Sequence, residues 1–224
     1  MGCGIALNWP WQSTTERDYK MVYKVTTTQY FQEDPAKIGN FHAQMRDLWN
    51  DYIWRNRSHL VAAMNGAPEM MAAREWVTAN ITDYYTVIND YYDADSAQRW
   101  RDIMESQVTD MIQLLDYVKK PPVNFNINTD TFVQEIVARL NTTAAEMFEF
   151  LATVNPGAWN TINLKNQLLD LVEAWMSQIK MRMIKNWNED MAATDKSFDV
   201  ARQIAHQFAT GIVQQNPDRF AMST

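Results

Sequence analysis

The chain has 224 residues, 46% hydrophobic and 21% charged, with 20 Lys and Arg against 27 Asp and Glu for a net charge of −7. That length gives one large domain or two small ones with a substantial core, and the composition is that of a folded chain rather than a disordered one. With 6 Gly and 7 Pro, both below the usual share of about 7% and 5%, few long elements are expected, which excludes a many-stranded β-sandwich, a disulfide scaffold and a Gly-rich nucleotide fold.

No basic run exceeds the pair Lys119 and Lys120. Nucleic-acid affinity comes from clustered cations that release counterions, so nucleic acid is not an expected partner. Cys3 is the only cysteine. It excludes an internal disulfide and a cysteine-based zinc site, and it fits a reducing place, inside a cell or a particle. No apolar run reaches the roughly 18 residues of a membrane span, and the start lacks the pattern of a secretory signal.

The chain opens Met1-Gly2-Cys3-Gly4. Removal of Met1 would leave Gly2 for myristoylation beside Cys3 for palmitoylation, and two acyl chains are what stable membrane anchoring needs. Ala6 stands where that motif has Ser or Thr. Residues 1–40 read as an extended arm. Trp9 and Trp11 flank Pro10, and the stretch Asp18–Phe31 is rich in β-branched and aromatic residues, with Tyr19, Met21, Tyr23 and Val25 alternating to one side. It has no nearby strand to pair with, so it is expected to pack along the body or to pair with another chain. Trp9, Trp11, Tyr19 and Tyr23 are the candidate contact residues of this arm.

From Phe41 onward the pattern is helical. The first helix is expected over about 41–64, between Asn40 and Gly66, and the second over about 68–90, opened by Pro68. The third runs from Asp95 or Ser96 to Lys119, stopped by Pro121 and Pro122. The fourth runs from Asn128 or Thr129 to Val154, before Asn155-Pro156-Gly157. The fifth and sixth cover about 161–187 and 190–214. Each carries an apolar stripe stepping by three or four. Examples are Trp100, Met104, Gln107, Met111, Leu115 and Val118 in the third, and Leu164, Leu168, Leu171, Trp175, Ile179 and Met183 in the fifth. Long stripes bury one another, so the expected fold is all-α. It is an antiparallel bundle of six long helices over residues 41–224, with candidate repeats at 41–122 and 123–220. Most of the 9 Trp and 14 Met are expected to fill that core, Met adapting to irregular gaps, with an aromatic ligand pocket or a partner-binding face as the sharper alternative. Tyr84, Tyr85, Tyr91 and Tyr92 gather near the second turn and are candidate interface anchors.

Signals for catalysis are weak. His42, His59 and His206 belong to no Glu-x-x-His or His-Glu-x-x-His pattern, so no metal site is expected and the histidines read as exposed or singly hydrogen-bonded. No Gly-x-Ser-x-Gly elbow and no phosphate loop occur. Glu105 and Glu173 sit beside stripe positions and are expected to be partly buried. No cofactor and no enzymatic activity are expected.

Several residues nevertheless form an ordered set: Leu48-Trp49 followed by Arg57, Tyr91-Tyr92 with Ala97, Asn141, Phe150-Leu151, Asn155-Pro156 with Trp159, and Gly211-Ile212 with Gln215, Pro217 and Phe220. In this set the chain resembles an uncharacterised bacterial helical family, common in spore-forming Firmicutes and often named acetylglutamate kinase without support. The resemblance covers about residues 46–220 and implies a two-repeat helical bundle. In that family a histidine recurs on each of four inner helix faces, which implies a metal site of the hemerythrin-like kind. Here the corresponding positions are Tyr52, Gln107, Trp175 and Val200, which cannot ligate zinc or iron at neutral pH. The resemblance thus implies a plugged centre, in which Gln107 needs a buried partner such as the Tyr52 hydroxyl.

The resulting expectation is a non-enzymatic structural protein. Its bundle and arm would bind other protein chains, its own copies or other components, within a large particle such as a virion. Two rivals are a metal- or cofactor-binding bundle and a membrane-surface protein acylated at Gly2 and Cys3.

Overall fold

The computed structural model describes residues 32–222. Six helices make up most of them: α1 (Pro35–Asn65), α2 (Met70–Tyr91), α3 (Ala94–Val118), α4 (Thr131–Val154), α5 (Ile162–Met183) and α6 (Trp187–Gln215), with a 3-10 turn at Pro217–Phe220. Among the described residues the only β pairing is a single antiparallel bridge between Glu33 and Ala221. The all-α bundle expected from the stripes is what the chain forms. No described helix is long and apolar enough to cross a membrane. The arm residues Trp9, Trp11, Tyr19 and Tyr23, and the acylation candidates Gly2 and Cys3, lie outside the described residues.

Side-chain caps set most helix starts by accepting the first orphan backbone donors. Asp34 accepts from Ala36 N–H at 3.0 Å, Asp93 from Ser96 at 2.6 Å, Asp130 from Val133 at 3.1 Å and Thr161 from Leu164 at 3.2 Å. Several expected boundaries move: α2 starts at Met70, after Pro68, and α4 at Thr131, behind Asp130 rather than at Asn128 or Thr129. Helix α1 begins at Pro35, not near Phe41, so residues 35–40 belong to the bundle and not to the arm. Asp34-Pro35 joins a strong cap to a first-turn proline, and nothing at Asn40 interrupts the helix that follows. Helix α3 starts after Asp93 rather than at Asp95 or Ser96. Helix α5 stops at Met183, where Lys185 adopts φ 57°, and α6 starts at Trp187.

Short connections make each helix antiparallel to the one before it. Each packs on its chain neighbour, and α6 returns to α1, closing a ring that encloses one core; α1 also touches α3 and α5 across the interior. A ring of six helices leaves more space at its centre than aliphatic side chains fill, and the tryptophans occupy it. Trp49, Tyr84 and Trp100 form a chain of ring contacts, with centroids 5.3 and 6.2 Å apart, and Trp100 continues to Phe208 at 5.6 Å.

Of the four tyrosines near the α2–α3 turn, Tyr84 lies in the interior, and Tyr85, Tyr91 and Tyr92 are partly buried against the core. Tyr84 is 1% exposed, because it falls on the same face of α2 as Val77, Ile81 and Ile88. Tyr91 is half-buried between Phe41 and Phe220, at 4.9 and 5.8 Å, and Tyr92 donates to Gln215 Oε1 at 2.9 Å. Tyr85 packs against the core with Arg101 over its ring.

The two ends of the described chain are tied together here. Asp34 N–H donates to Phe220 O and Met222 N–H to Gln32 O, both at 2.8 Å, and Lys37 Nζ donates to Ala221 O at 2.7 Å. The α4–α5 turn docks on α6 beside them. Asn155 Nδ2 donates to Gly211 O at 2.8 Å, and Trp159 Nε1 donates to Gln207 O at 3.0 Å while its ring stacks on Phe208 at 4.7 Å. Many of the residues quoted for the family resemblance (Tyr91, Tyr92, Asn155, Trp159, Gly211, Gln215, Phe220) therefore meet in one structural lock.

Gly211 is required by that lock. A Cβ there would lie 2.6 Å from Trp159 Cε2 and closer still to Nε1. Gly211→Ala is expected to destabilise by about 1–3 kcal/mol through overpacking, despite the better helix propensity of Ala. Urea unfolding measures it, and an unchanged or higher midpoint would refute the close fit.

Candidate functional site: an inner chamber and an exposed seam

Three of the four positions singled out by the resemblance converge. Tyr52 on α1, Gln107 on α3 and Trp175 on α5 line one chamber of about 30 Å³, and every residue of its wall is buried. Val200 is buried on α6 but does not line the chamber; Ser197, one turn earlier, does. The centre is therefore not fully plugged. The volume is room for about two water molecules, because Tyr and Gln cannot be shaped to fill a ring interior as completely as aliphatic groups do. The Tyr52 hydroxyl donates to Gln107 Oε1 at 2.7 Å, as the burial of both groups requires. Burial also raises the Tyr52 pKa above its ordinary value, so the phenol stays protonated.

The wall is apolar on one side, with Ile53, Met111, Leu140, Leu171 and Val172, and polar on the other, with Asn56, Arg57, Gln178 and Ser197. The polar side opens onto an ion-pair network. Arg57 grips Asp190 with two parallel bonds, Nη1 to Oδ1 at 2.5 Å and Nη2 to Oδ2 at 2.7 Å, and Arg182 Nη1 reaches Oδ2 at 2.7 Å. Arg57 Nη1 also donates to Gln178 Oε1 at 3.3 Å, and Gln178 Nε2 donates to Ser197 Oγ at 2.8 Å. The Asp190 side chain is 2% exposed, and those of Arg57 and Arg182 are 8% and 12% exposed. Burial alone would raise the Asp190 pKa. The hydrogen bonds and charge of Arg57, joined by those of Arg182, outweigh it and hold the carboxyl below its ordinary range.

The histidines are spread out. His59 is buried, not exposed, and burial lowers its pKa, helped by Arg74. His42 on α1 and His206 on α6 face each other with ring centroids 5.1 Å apart. Burial, then the neighbouring His206 charge, lowers the His42 pKa. Among the described residues no group of three or more His, Cys, Asp or Glu is placed to hold a metal ion. Glu105 and Glu173, expected to be partly buried, are exposed and make surface pairs with Arg101 at 2.8 Å and Lys196 at 3.4 Å.

A second feature lies outside, along the seam between α1 and α6. Trp54 is 54% exposed, and with Phe198 it lines an open groove of about 330 Å³ together with Asn50, Asp51 and Arg202. Met191 and Trp187 continue the same face of α6 at spacings of seven and four residues, and both are about half exposed. Arg57 Nη2 lies 3.8 Å from Met191 Sδ, which ties this exposed strip to the buried network. On the other side of α1, Trp76 is also exposed, under the Arg55 guanidinium at 5.3 Å. Beyond the arm, the tryptophans were expected mainly in the core, and nothing in their spacing distinguishes the outward ones.

Neither a protein-family model, a curated protein nor a solved structure matches this chain.

Two measurements test the interior. The Asp190 pKa is lowered on folding, so as pH falls the unfolded chain takes up this proton first. The pair's contribution is complete above about pH 4, the ordinary carboxyl value, and is lost below it. Asp190→Asn is expected to cost about 3–5 kcal/mol at neutral pH, the effect of leaving buried guanidinium groups unpaired. It should also flatten the acid slope of stability measured by urea unfolding; an acid slope equal to that of the parent protein would count against the network.

Tyr52→Phe leaves the buried Gln107 oxygen without its donor and is expected to cost about 1–3 kcal/mol. Adding Gln107→Leu should recover most of that loss. Equal and additive losses in the double-mutant cycle would show that the bond contributes nothing.

Proposed function

We propose that this protein is a non-enzymatic assembly component that binds other protein chains, its own copies included, within a larger particle such as a virion. The observation that carries this reading is the half-exposed apolar strip Trp54, Met191 and Trp187 along the α1–α6 seam. Large aromatic side chains left in water at a groove are typical interface anchors, since burying them removes much apolar area at little entropic cost. Trp187 is held by the Arg182 guanidinium at 5.4 Å, so part of its ordering cost is met before any partner arrives.

The chamber fits the same reading, because about 30 Å³ is far below the roughly 300–1,000 Å³ of pockets that take organic ligands. Residues 1–31, with Trp9, Trp11, Tyr19 and Tyr23, add a second candidate contact element by their composition.

Light scattering tests the proposal on the full chain. Association is expected to deepen with concentration and to be weakened at least tenfold by Trp54→Ser with Trp187→Ser; both side chains are exposed, so the fold should persist. A chain beginning at Gln32 separates the contribution of the arm from that of the seam. A full chain that remains monomeric at its solubility limit would overturn self-assembly.

A further inference from the structure

We propose that His42 and His206 form a two-histidine seat for one divalent transition-metal ion (zinc, nickel or copper), which clamps α1 to α6 where the helix ring closes. The two rings face each other across these helices, with centroids 5.1 Å apart and planes tilted by 37°. Zinc lies about 2.1 Å from an imidazole nitrogen and so about 3.2 Å from the ring centre, which puts two imidazoles on one tetrahedral ion about 5 Å apart between centroids. The observed spacing therefore suits a shared ion without movement of either helix. The last side-chain torsion of histidine is broad, so each ring can turn a nitrogen toward the common point at little cost.

The helices hold the pair in place. His42 follows the buried Phe41, and His206 follows the buried Ala205, so each histidine stands at the edge of its helix's buried face. Ligands fixed on packed helices lose less freedom on binding than ligands on loops. His42 is half-buried and His206 is exposed, which lets an ion enter from water. Beside His206 lies an open groove of about 420 Å³, with room for the waters that complete the coordination.

The chemistry of the pair selects the ion. Neither imidazole hydrogen-bonds to another described residue, so both keep a nitrogen for a metal. Burial, then the His206 charge, favours neutral His42, which is the ligating form. No carboxylate lines the groove beside His206. A set of imidazole and water suits zinc, nickel and copper, whereas magnesium and calcium need oxygen ligands from the protein. The cations one turn away carry their own carboxylates: Arg46 pairs with Asp47 at 3.1 Å and Arg202 with Asp199 at 2.9 Å, which limits their repulsion of a dication. An ion held here joins the first helix to the last, the closure with the longest intervening loop.

Calorimetric titration of the untagged full chain with nickel chloride and with zinc chloride tests the seat. Each ion should bind and should raise the urea midpoint to a plateau, since a ligand that prefers the folded state stabilises by mass action. Magnesium at the same concentration should leave the midpoint unchanged. His206→Asn alters an exposed side chain, so the fold should persist. It removes the second, intramolecular bond to the ion and should weaken nickel binding at least about tenfold.

Equal nickel affinity in the parent chain and in His206→Asn, or a midpoint that neither nickel nor zinc raises, would overturn the proposal. An ion bound elsewhere in the chain, at Cys3 for instance, survives this substitution and is told apart by it. Association between chains enters none of these measurements, so failure here leaves the assembly reading standing.

Discussion

Helix α1 packs against α2 on one side and α6 on the other, and it reaches α3 and α5 across the interior. That placement constrains everything else. A helix with neighbours on most sides needs a buried surface wider than one stripe, and the buried residues of α1 run from Phe41 to Ala63 on more than one face. Some of them must be polar if the helix is not to be apolar all round, and each polar one must then find a partner inside. Tyr52, Asn56 and Arg57 find theirs in Gln107, the backbone of α1 itself, and Asp190. The chamber is the residue of that requirement, the space left where polar groups meet at fixed hydrogen-bond distances instead of interdigitating.

Closing the ring also explains why the first and last elements are bound so firmly. The seam between α1 and α6 brings together segments that are far apart in the chain, and its closure carries the largest loop-entropy cost in the fold. It is secured at one end by the Glu33–Ala221 bridge and by Phe220 lodged against Phe41 and Tyr91, and toward the other end by the Arg57–Asp190 pair. Between these points lie Phe208 and Ile204, both nearly fully buried. Buried ion pairs contribute less net stability than their Coulomb energy suggests. A bidentate Arg–carboxylate pair instead specifies register, because a shift of α6 by one residue along α1 would strand both charges.

The helices were legible in the sequence because their stripes are long and their stops are chemical. The stripe from Trp100 to Val118 is buried throughout, and Asn155-Pro156-Gly157 ends α4 where expected. Boundaries were less legible where two caps competed, as Asp34 and Asn40 did before α1. The Tyr52–Gln107 bond was implied by the family resemblance, which aligns both residues with inner helix faces. The Arg57–Asp190–Arg182 network did not, since Asp190 reads equally well as a first-turn acid of α6, and only the ring closure brings it to Arg57. The outward tryptophans were hidden for a related reason. Trp54 lies five residues beyond the buried Trp49 and Trp187 opens a helix, and periodicity does not say which side of α1 or α6 is left uncovered once five other helices have packed.

Arg57 joins the two features that matter most for function. It lines the chamber, grips Asp190 and lies under Met191, so it borders both the interior and the exposed seam. Any chain that covers Met191 and Trp187 also removes the remaining water from Arg182, whose side chain stacks on Trp187. Lower local dielectric strengthens the attraction of both guanidinium groups for Asp190, and it raises the cost of the charge left over.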